Sequence, residues 1–243
     1  MIYSANMLKT YKTCPLKYKL KYVERFSLPQ KFEVFEKGKK IHALAYYYLK
    51  GDDVSRFETA LTPDESAVWA RLKENEFFNM QTYRAEFDLN VKIDRFWVGG
   101  RLDAVVTDAA GNYYILDYKT GAVPKNPEED LQTLVYLAAL EAHLKGEFKS
   151  LKFVYIDLKN NKNHIIDSTL AHTEIIEHIC RQIESEKFPA RECCARRQSS
   201  ETFERRFRQR SHGLANRVCQ AGGGELLSPP AEDCGLCEYR HYC

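Results

Sequence analysis

Two carboxylates and a lysine stand out by type and spacing. They lie in Gly99-Gly-Arg-Leu-Asp103 and in Tyr114-Ile-Leu-Asp117-Tyr-Lys119-Thr-Gly, two apolar segments joined across an Ala-Gly-Asn turn at 110–112. Residues two apart on a strand share a face, so Asp117 and Lys119 must lie together, and a hairpin would bring Asp103 alongside. Carboxylate oxygens are hard ligands suited to Mg²⁺ or Mn²⁺. A bound ion can polarise a phosphate and acidify a water, and a second ion about 3.5–4 Å away can stabilise the leaving oxygen. A lysine beside them can orient the attacking water and offset charge on the phosphate. An isolated Asp-x-Lys would usually be a solvated strand end. Here it follows an apolar strand, is closed by Thr-Gly, and has a second aspartate one hairpin upstream, which points to a site for phosphodiester hydrolysis.

The surrounding pattern predicts the elements that hold this site. Ser4 is a plausible N-cap for a basic, tyrosine-rich segment reaching about Phe26 and interrupted at Cys14-Pro15. Helical periodicity runs from Phe32 to Leu49 and stops at Gly51, and a second helix is expected from Pro63 to about Met80, with Val68, Leu72 and Phe78 facing inward. The period then becomes two: Tyr83–Ile93, Phe96–Thr107 and Asn112–Tyr118 read as strands. Pro127 is expected to open a helix to about Lys145, followed by strands over Leu151–Leu158 and His164–Ser168 and an amphipathic helix over Ala171–Lys187. Residues 191–230 break the order, with eight arginines against four glutamates and a Gly-Gly-Gly run, and read as a basic insertion or loop. The expected organisation is therefore one domain over 1–243: a helical part at 1–80, an α/β core at 81–190, the insertion at 191–230 and a cysteine motif at 231–243.

Bulk properties narrow the class. The chain has 243 residues and a net charge of only +2, so any case for nucleic acid rests on local patches. No apolar run approaches the roughly 20 residues of a membrane helix, and no secretory h-region opens the sequence. A cytoplasmic protein is expected, in which eight cysteines are better suited to metal binding than to disulfides. Three of them form Cys234-x₂-Cys237-x₅-Cys243, and three soft ligands need a fourth; spacing alone leaves Zn²⁺ and an iron–sulfur cluster both open. Cys180 reads as a core residue on its helix, and Cys193, Cys194 and Cys219 as incidental.

Further residues complete a pattern. Gln132 and Tyr136, four apart, share one helical face, and His42 stands in a Gly38-Lys-Lys-Ile-His42 element on an upstream helix. Together with Gly100-x-x-Asp103 and Asp117-x-Lys119, this resembles the RecB-like branch of the PD-(D/E)xK nuclease superfamily, over nearly the whole chain outside 191–230. Leu102 stands where the motif's literal proline would. The resemblance implies a restriction-endonuclease-like fold, a mixed central sheet flanked by helices. It implies Asp103, Asp117, Lys119, Gln132 and Tyr136 as catalytic residues, and His42 beside Asp103 and Asp117 as metal ligands. Gln132 and Tyr136 would reach the DNA strand or the metal-bound water, and Glu86, on the strand before Asp103, is a weaker supporting candidate. RecB-like nucleases that carry a cluster have one N-terminal cysteine and three C-terminal ones. The likeness thus implies a [4Fe–4S] cluster on Cys14, Cys234, Cys237 and Cys243, stapling the chain ends, with Zn²⁺ the alternative.

The N-terminal segment interleaves Lys9, Lys12, Lys17, Lys19, Lys21 and Arg25 with Tyr11, Tyr18, Tyr22 and Phe26. Such a surface could hold phosphates and stack unpaired bases, or be an ordinary solvated helix. The expected function is a Mg²⁺- or Mn²⁺-dependent DNA exonuclease acting on single-stranded ends. The resemblance points to CRISPR adaptation or DNA repair, alongside CRISPR adaptation proteins or a helicase subunit. The alternative is a catalytically weak DNA-end-binding or scaffold subunit.

Overall fold

The computed structural model describes residues 1–26, 36–169 and 171–186. The expected start at Phe32, the 191–230 segment, and Cys193, Cys194, Cys219, Cys234, Cys237 and Cys243 lie outside these residues. The helices are α1 (Ala5–Thr13), α2 (Pro15–Tyr18), α3 (Glu36–Leu49), α4 (Ser55–Glu58), α5 (Pro63–Lys73), α6 (Leu131–Leu144) and α7 (Ala171–Ser185), with a π-helical turn at Lys19–Val23. The strands are β1 (Ile2–Ser4), β2 (Gln81–Ile93), β3 (Phe96–Thr107), β4 (Asn112–Lys119), β5 (Ser150–Asp157) and β6 (Lys162–Asp167). They form one mixed, six-stranded sheet, as expected for the fold class.

The topology around β3 creates an opening. β2 lies antiparallel along the length of β3 and occupies one edge. β1 and β4 must therefore share the other edge. β1 runs parallel beside residues 97–99, and β4 runs antiparallel beside 104–107. The β3–β4 ladder stops at the Ala104–Leu116 pair, while β4 stays paired to β5 as far as Lys119–Asp157. The two strands part from that point, and residues 100–103 keep an edge free of strand pairing. That interval is the Gly-x-x-Asp motif.

Three apolar clusters fix the layers. Ala104, Val106, Leu116, Tyr118 and Ile156 pack against Ile41, Leu44 and Ala45 of α3 and Trp69 and Leu72 of α5. Val105, Ile115, Phe153 and Tyr155 pack on the opposite face against Leu137 and Leu140 of α6. The far side of α6 is covered in turn by Leu8 of α1 and Ile176, Ile179 and Ile183 of α7. Enclosure on both sides explains why α6 is apolar nearly all round, and α7, covered on one side, keeps its isoleucines at helical spacing.

Most boundaries follow their sequence signals. Ser4 caps α1 by accepting from the Met7 N–H, and Gly51 and Gly111 both take φ +82° in their turns. Two helices differ. α5 ends at Lys73, seven residues before Met80, because Asn side chains intervene: Asn75 Oδ1 accepts from the Phe77 N–H at 3.1 Å, and Asn79 Nδ2 donates to the Lys73 carbonyl at 2.7 Å. Local amide bonds of this kind compete with helix continuation. α6 starts at Leu131, not Pro127, because Asp130 is the cap, accepting from the Gln132 N–H at 2.8 Å. β1 and α4, three and four residues long, are too short to show a period.

Two glycines are dictated by close approach. A Cβ at Gly99 would lie 2.0 Å from the Leu89 carbonyl oxygen, and one at Gly100 would lie 2.9 Å from the Tyr136 ring. The first obstacle is backbone and cannot rotate away. Gly99→Ala is therefore expected to destabilise the fold by about 3 kcal/mol; a urea unfolding midpoint equal to wild type would overturn this packing.

Candidate active site

The chemistry-bearing side chains converge where β3 and β4 part. The Asp103 carboxylate bridges the opening: Oδ2 accepts from the Tyr118 N–H at 3.0 Å, and Oδ1 faces His42 Nδ1 at 3.2 Å. Asp117, with 6% of its side chain exposed, meets Lys119 Nζ at 2.7 Å through Oδ2. Its Oδ1 accepts from Gln132 Nε2. Tyr136, one turn further along α6, donates to the Arg101 carbonyl at 2.9 Å, within the unpaired stretch of β3. The sequence expectation gave Gln132 and Tyr136 to DNA or water. Within the chain, their hydrogen bonds fasten α6 to the two diverging strands.

Glu86 is more central than its supporting role in the sequence reading. His42, Glu86 and Asp103 each offer a ligand atom, and all three atoms lie within 4.8 Å of one another. Glu86 would face Asp103 across the β2–β3 ladder, but its φ is +46°, and the pairing skips from Ala85–Ala104 to Phe87–Leu102. The partner strand is irregular at the same level. Leu102 and Val105, three apart, both join the cluster under α6, while Ala104 joins that under α3. Strict alternation forbids this, and the kink frees Asp103 to reach His42 on the α3 side. A glutamate in the left-handed region costs of order 1–2 kcal/mol.

Asp117 stands outside that trio of ligand atoms. Its buried Oδ2 is held by the Lys119 ammonium at 2.7 Å. The donor set of imidazole nitrogen and carboxylate oxygens suits Mg²⁺ or Mn²⁺, and Asp117 adds a buried negative charge felt by Asp103 and His42. His42 is oriented for ligation. Its Nε2 lies 3.0 Å from the Tyr118 carbonyl, an acceptor, so Nε2 carries a proton and Nδ1 is the nitrogen that can take a metal.

Like charge dominates the electrostatics. Burial, then the Asp103 charge, pushes Asp117 up to about 6, against the lowering influence of Lys119 and His42. Burial and the Asp103 charge likewise raise Glu86, although His42 and Arg101 pull the other way. For His42, burial disfavours the charged ring, but the Asp103 hydrogen bond and charge, with Asp117 and the Tyr118 carbonyl, raise it overall. The site thus holds protons where a divalent cation would be expected to displace them.

Around this centre is an open cleft of about 820 Å³, lined by His42, Tyr46 and Tyr47 of α3 and by Glu86, Arg101 and Asp103 of the β2–β3 pair. Arg101 makes a two-pronged pair with Asp88, at 2.9 and 3.0 Å. Cys14 is buried, and its Sγ accepts from the Lys17 N–H at 3.4 Å at the start of α2. Lys9 is tied to Asp130, the α6 cap, at 2.8 Å. No helix among the described residues is long and apolar enough to cross a membrane.

A family model described as the PD-(D/E)XK nuclease superfamily matches residues 3–243. Comparison with curated proteins returned no match. Among solved structures, one from Eubacterium rectale, named as a candidate exonuclease, is 12% identical with a TM-score of 0.48, covering 89% of this chain and 90% of that one. Another, SSO0001, is 13% identical with a TM-score of 0.32, covering 68% of this chain and 83% of the other.

Two expectations follow. Asp117 and His42 are both raised in the fold, so these two groups bind more protons in the folded than in the unfolded chain above pH ~4, while the buried His172, lowered by desolvation, works the other way. Without metal, the contribution of Asp117 to stability should fall as pH rises from about 4 through its value near 6. Thermal melts in EDTA against pH, wild type beside Asp117→Asn, test this: the difference between them should change across pH ~4 to ~7, and parallel profiles would contradict it. Glu86→Gly removes a ligand but suits the positive φ. It should keep or raise the metal-free melting temperature while weakening Mn²⁺ binding at least tenfold by calorimetry; Glu86→Gln should weaken binding without the stabilisation.

Proposed function

This chain belongs to the PD-(D/E)XK nuclease superfamily, and on that premise we propose that it is a metal-dependent DNA exonuclease acting on single-stranded ends. The observation that carries the reading is the meeting of His42, Glu86 and Asp103 beside the buried Asp117–Lys119 pair on an open cleft. PD-(D/E)XK nucleases use divalent metals, and when bound the ion supplies Lewis-acid polarisation of the phosphate and a more acidic water. His42, Glu86 and Asp103 would hold it, and Asp117, bound by Gln132 and Lys119, would join them on loading.

The remaining work falls to groups of this chain. Lys119 can position the attacking water and place a cation against the phosphate oxygens as negative charge builds. The Asp117 carboxylate, held by Gln132, fixes the lysine head. The Tyr118 N–H fixes Asp103, and the Tyr118 carbonyl fixes the His42 tautomer. The wider reading is CRISPR adaptation or DNA repair, in company with adaptation proteins or a helicase. It also includes a [4Fe–4S] cluster on Cys14, Cys234, Cys237 and Cys243, with zinc as the alternative; of these, Cys14 lies among the described residues, buried and capping α2.

Two measurements test the proposal. Incubated with end-labelled single-stranded DNA and Mn²⁺, wild type should release nucleotides, and Asp117→Ala and Lys119→Ala should each lose at least a hundredfold in rate. Equal rates in all three would remove the site, and binding without cleavage would favour a scaffold role. Purified without oxygen, the protein should be brown and contain iron and sulfide. Colourless protein with stoichiometric zinc would replace the cluster by a zinc site.

A further inference from the structure

The cleft contains aromatic surface that the hydrolytic chemistry does not use. Along α3, Lys39 and Ala43 are four apart, and Tyr46 and Tyr47 follow three and four residues after Ala43, which places them toward one side of the helix, with Lys50 just past its end. Lys39, Ala43, Tyr46 and Tyr47 line the same cleft as Glu86 and Asp103. Tyr46 lies four residues beyond His42, one turn or about 6 Å along the axis. Lys50 sits over the Tyr46 ring at 5.1 Å. The Tyr47 ring continues into Phe57 of α4, the two nearly parallel at 9° with centroids 6.1 Å apart.

Tyr46 is half-buried, and the two outer rings are open to solvent. Tyr47 is 42% and Phe57 55% exposed. Tyr48, next in sequence, turns the other way, stacking on Phe78 and meeting Trp69 edge-on. Tyr48, still 37% exposed, thus leans on the core side of α3, while Tyr46 and Tyr47 line the cleft. Flat aromatic faces flanked by lysines, one turn from a candidate metal ligand, suit a strand whose bases are unpaired. A duplex keeps its base faces covered by stacking, so only an unpaired base can offer one.

We propose that Tyr46, Tyr47 and Phe57 form a stacking shelf for unpaired nucleobases next to the scissile phosphate, with Lys39 and Lys50 against the flanking phosphates. The shelf selects single-stranded over double-stranded substrate. It rests on the nuclease reading for its place beside the reacting phosphate, but base stacking can be measured without catalysis.

The test uses the full chain without added divalent metal and a fluorescent 2-aminopurine placed within oligo-dT. Stacking on the shelf should quench the probe. Tyr47→Ala should bind about tenfold more weakly and lose the quenching, Tyr47→Phe should keep both, and blunt duplex binding should be unchanged by either. An oligonucleotide with abasic sites should bind wild type and Tyr47→Ala alike. Phe57→Ala, on the outer short helix, gives an independent loss if Tyr47→Ala is poorly folded. Undiminished quenching in both alanine variants, or the same loss on the abasic strand, would overturn the shelf. A protein that stacks bases but never cleaves would keep this inference and lose the hydrolytic one, and an active nuclease indifferent to these rings would do the reverse.

Discussion

The separation of β3 from β4 is the constraint on which the rest depends. A continuous antiparallel ladder would pair the backbone polar groups of residues 100–103 with those beyond Leu116 and close the space between. β1 takes the same edge of β3 at residues 97–99 instead, and β4 leaves that edge while staying paired to β5. The polar groups left by the split are answered by side chains: the Asp103 carboxylate takes the Tyr118 N–H, and the Tyr136 hydroxyl takes the Arg101 carbonyl. Buried backbone groups need partners, so the same bonds that make the split tolerable also aim the acidic residues. The two glycines serve this geometry. Gly99 admits β2, and Gly100 admits the Tyr136 ring.

Electrostatics then works against the empty arrangement. Asp103, Asp117 and Glu86 are gathered with Lys119 and His42 in a partly dry place: desolvation and carboxylate repulsion raise Asp117 and Glu86, while attraction to Asp103 and Asp117 raises His42 against its own desolvation. Removing charge here would favour the bare fold, and a bound cation would offset the same repulsion. The strained φ of Glu86 belongs to the same pattern, since regular pairing would leave Asp103 on the α6 side. Sites that bind or react often carry such local cost.

Much of this was legible from residue spacing. Period two placed Asp117 and Lys119 on one face, and they meet at 2.7 Å; period 3.6 put Gln132 and Tyr136 on one face of α6, and both reach the strands. Three things lay beyond pattern. Nothing local in Ala85-Glu86-Phe87 shows a positive φ, because that conformation is forced by the strand opposite. The task of Tyr136 depends on where β3 loses its partner, a property of topology and not of any short segment. The end of α5 turned on two asparagines whose amides could equally have pointed to water. β1 is too short for any periodicity, yet its three residues occupy the edge that β4 leaves.

The left-handed Glu86 also has an evolutionary consequence. At most positions in a strand, replacing a ligand costs nothing in backbone energy and gains nothing. Here a change to glycine relieves strain and removes a crowded charge at once. Such a change would be rewarded by drift the moment activity ceased to matter. Descendants of this chain that had given up catalysis to serve as scaffolds would then be marked by glycine or asparagine at position 86 on an otherwise preserved sheet.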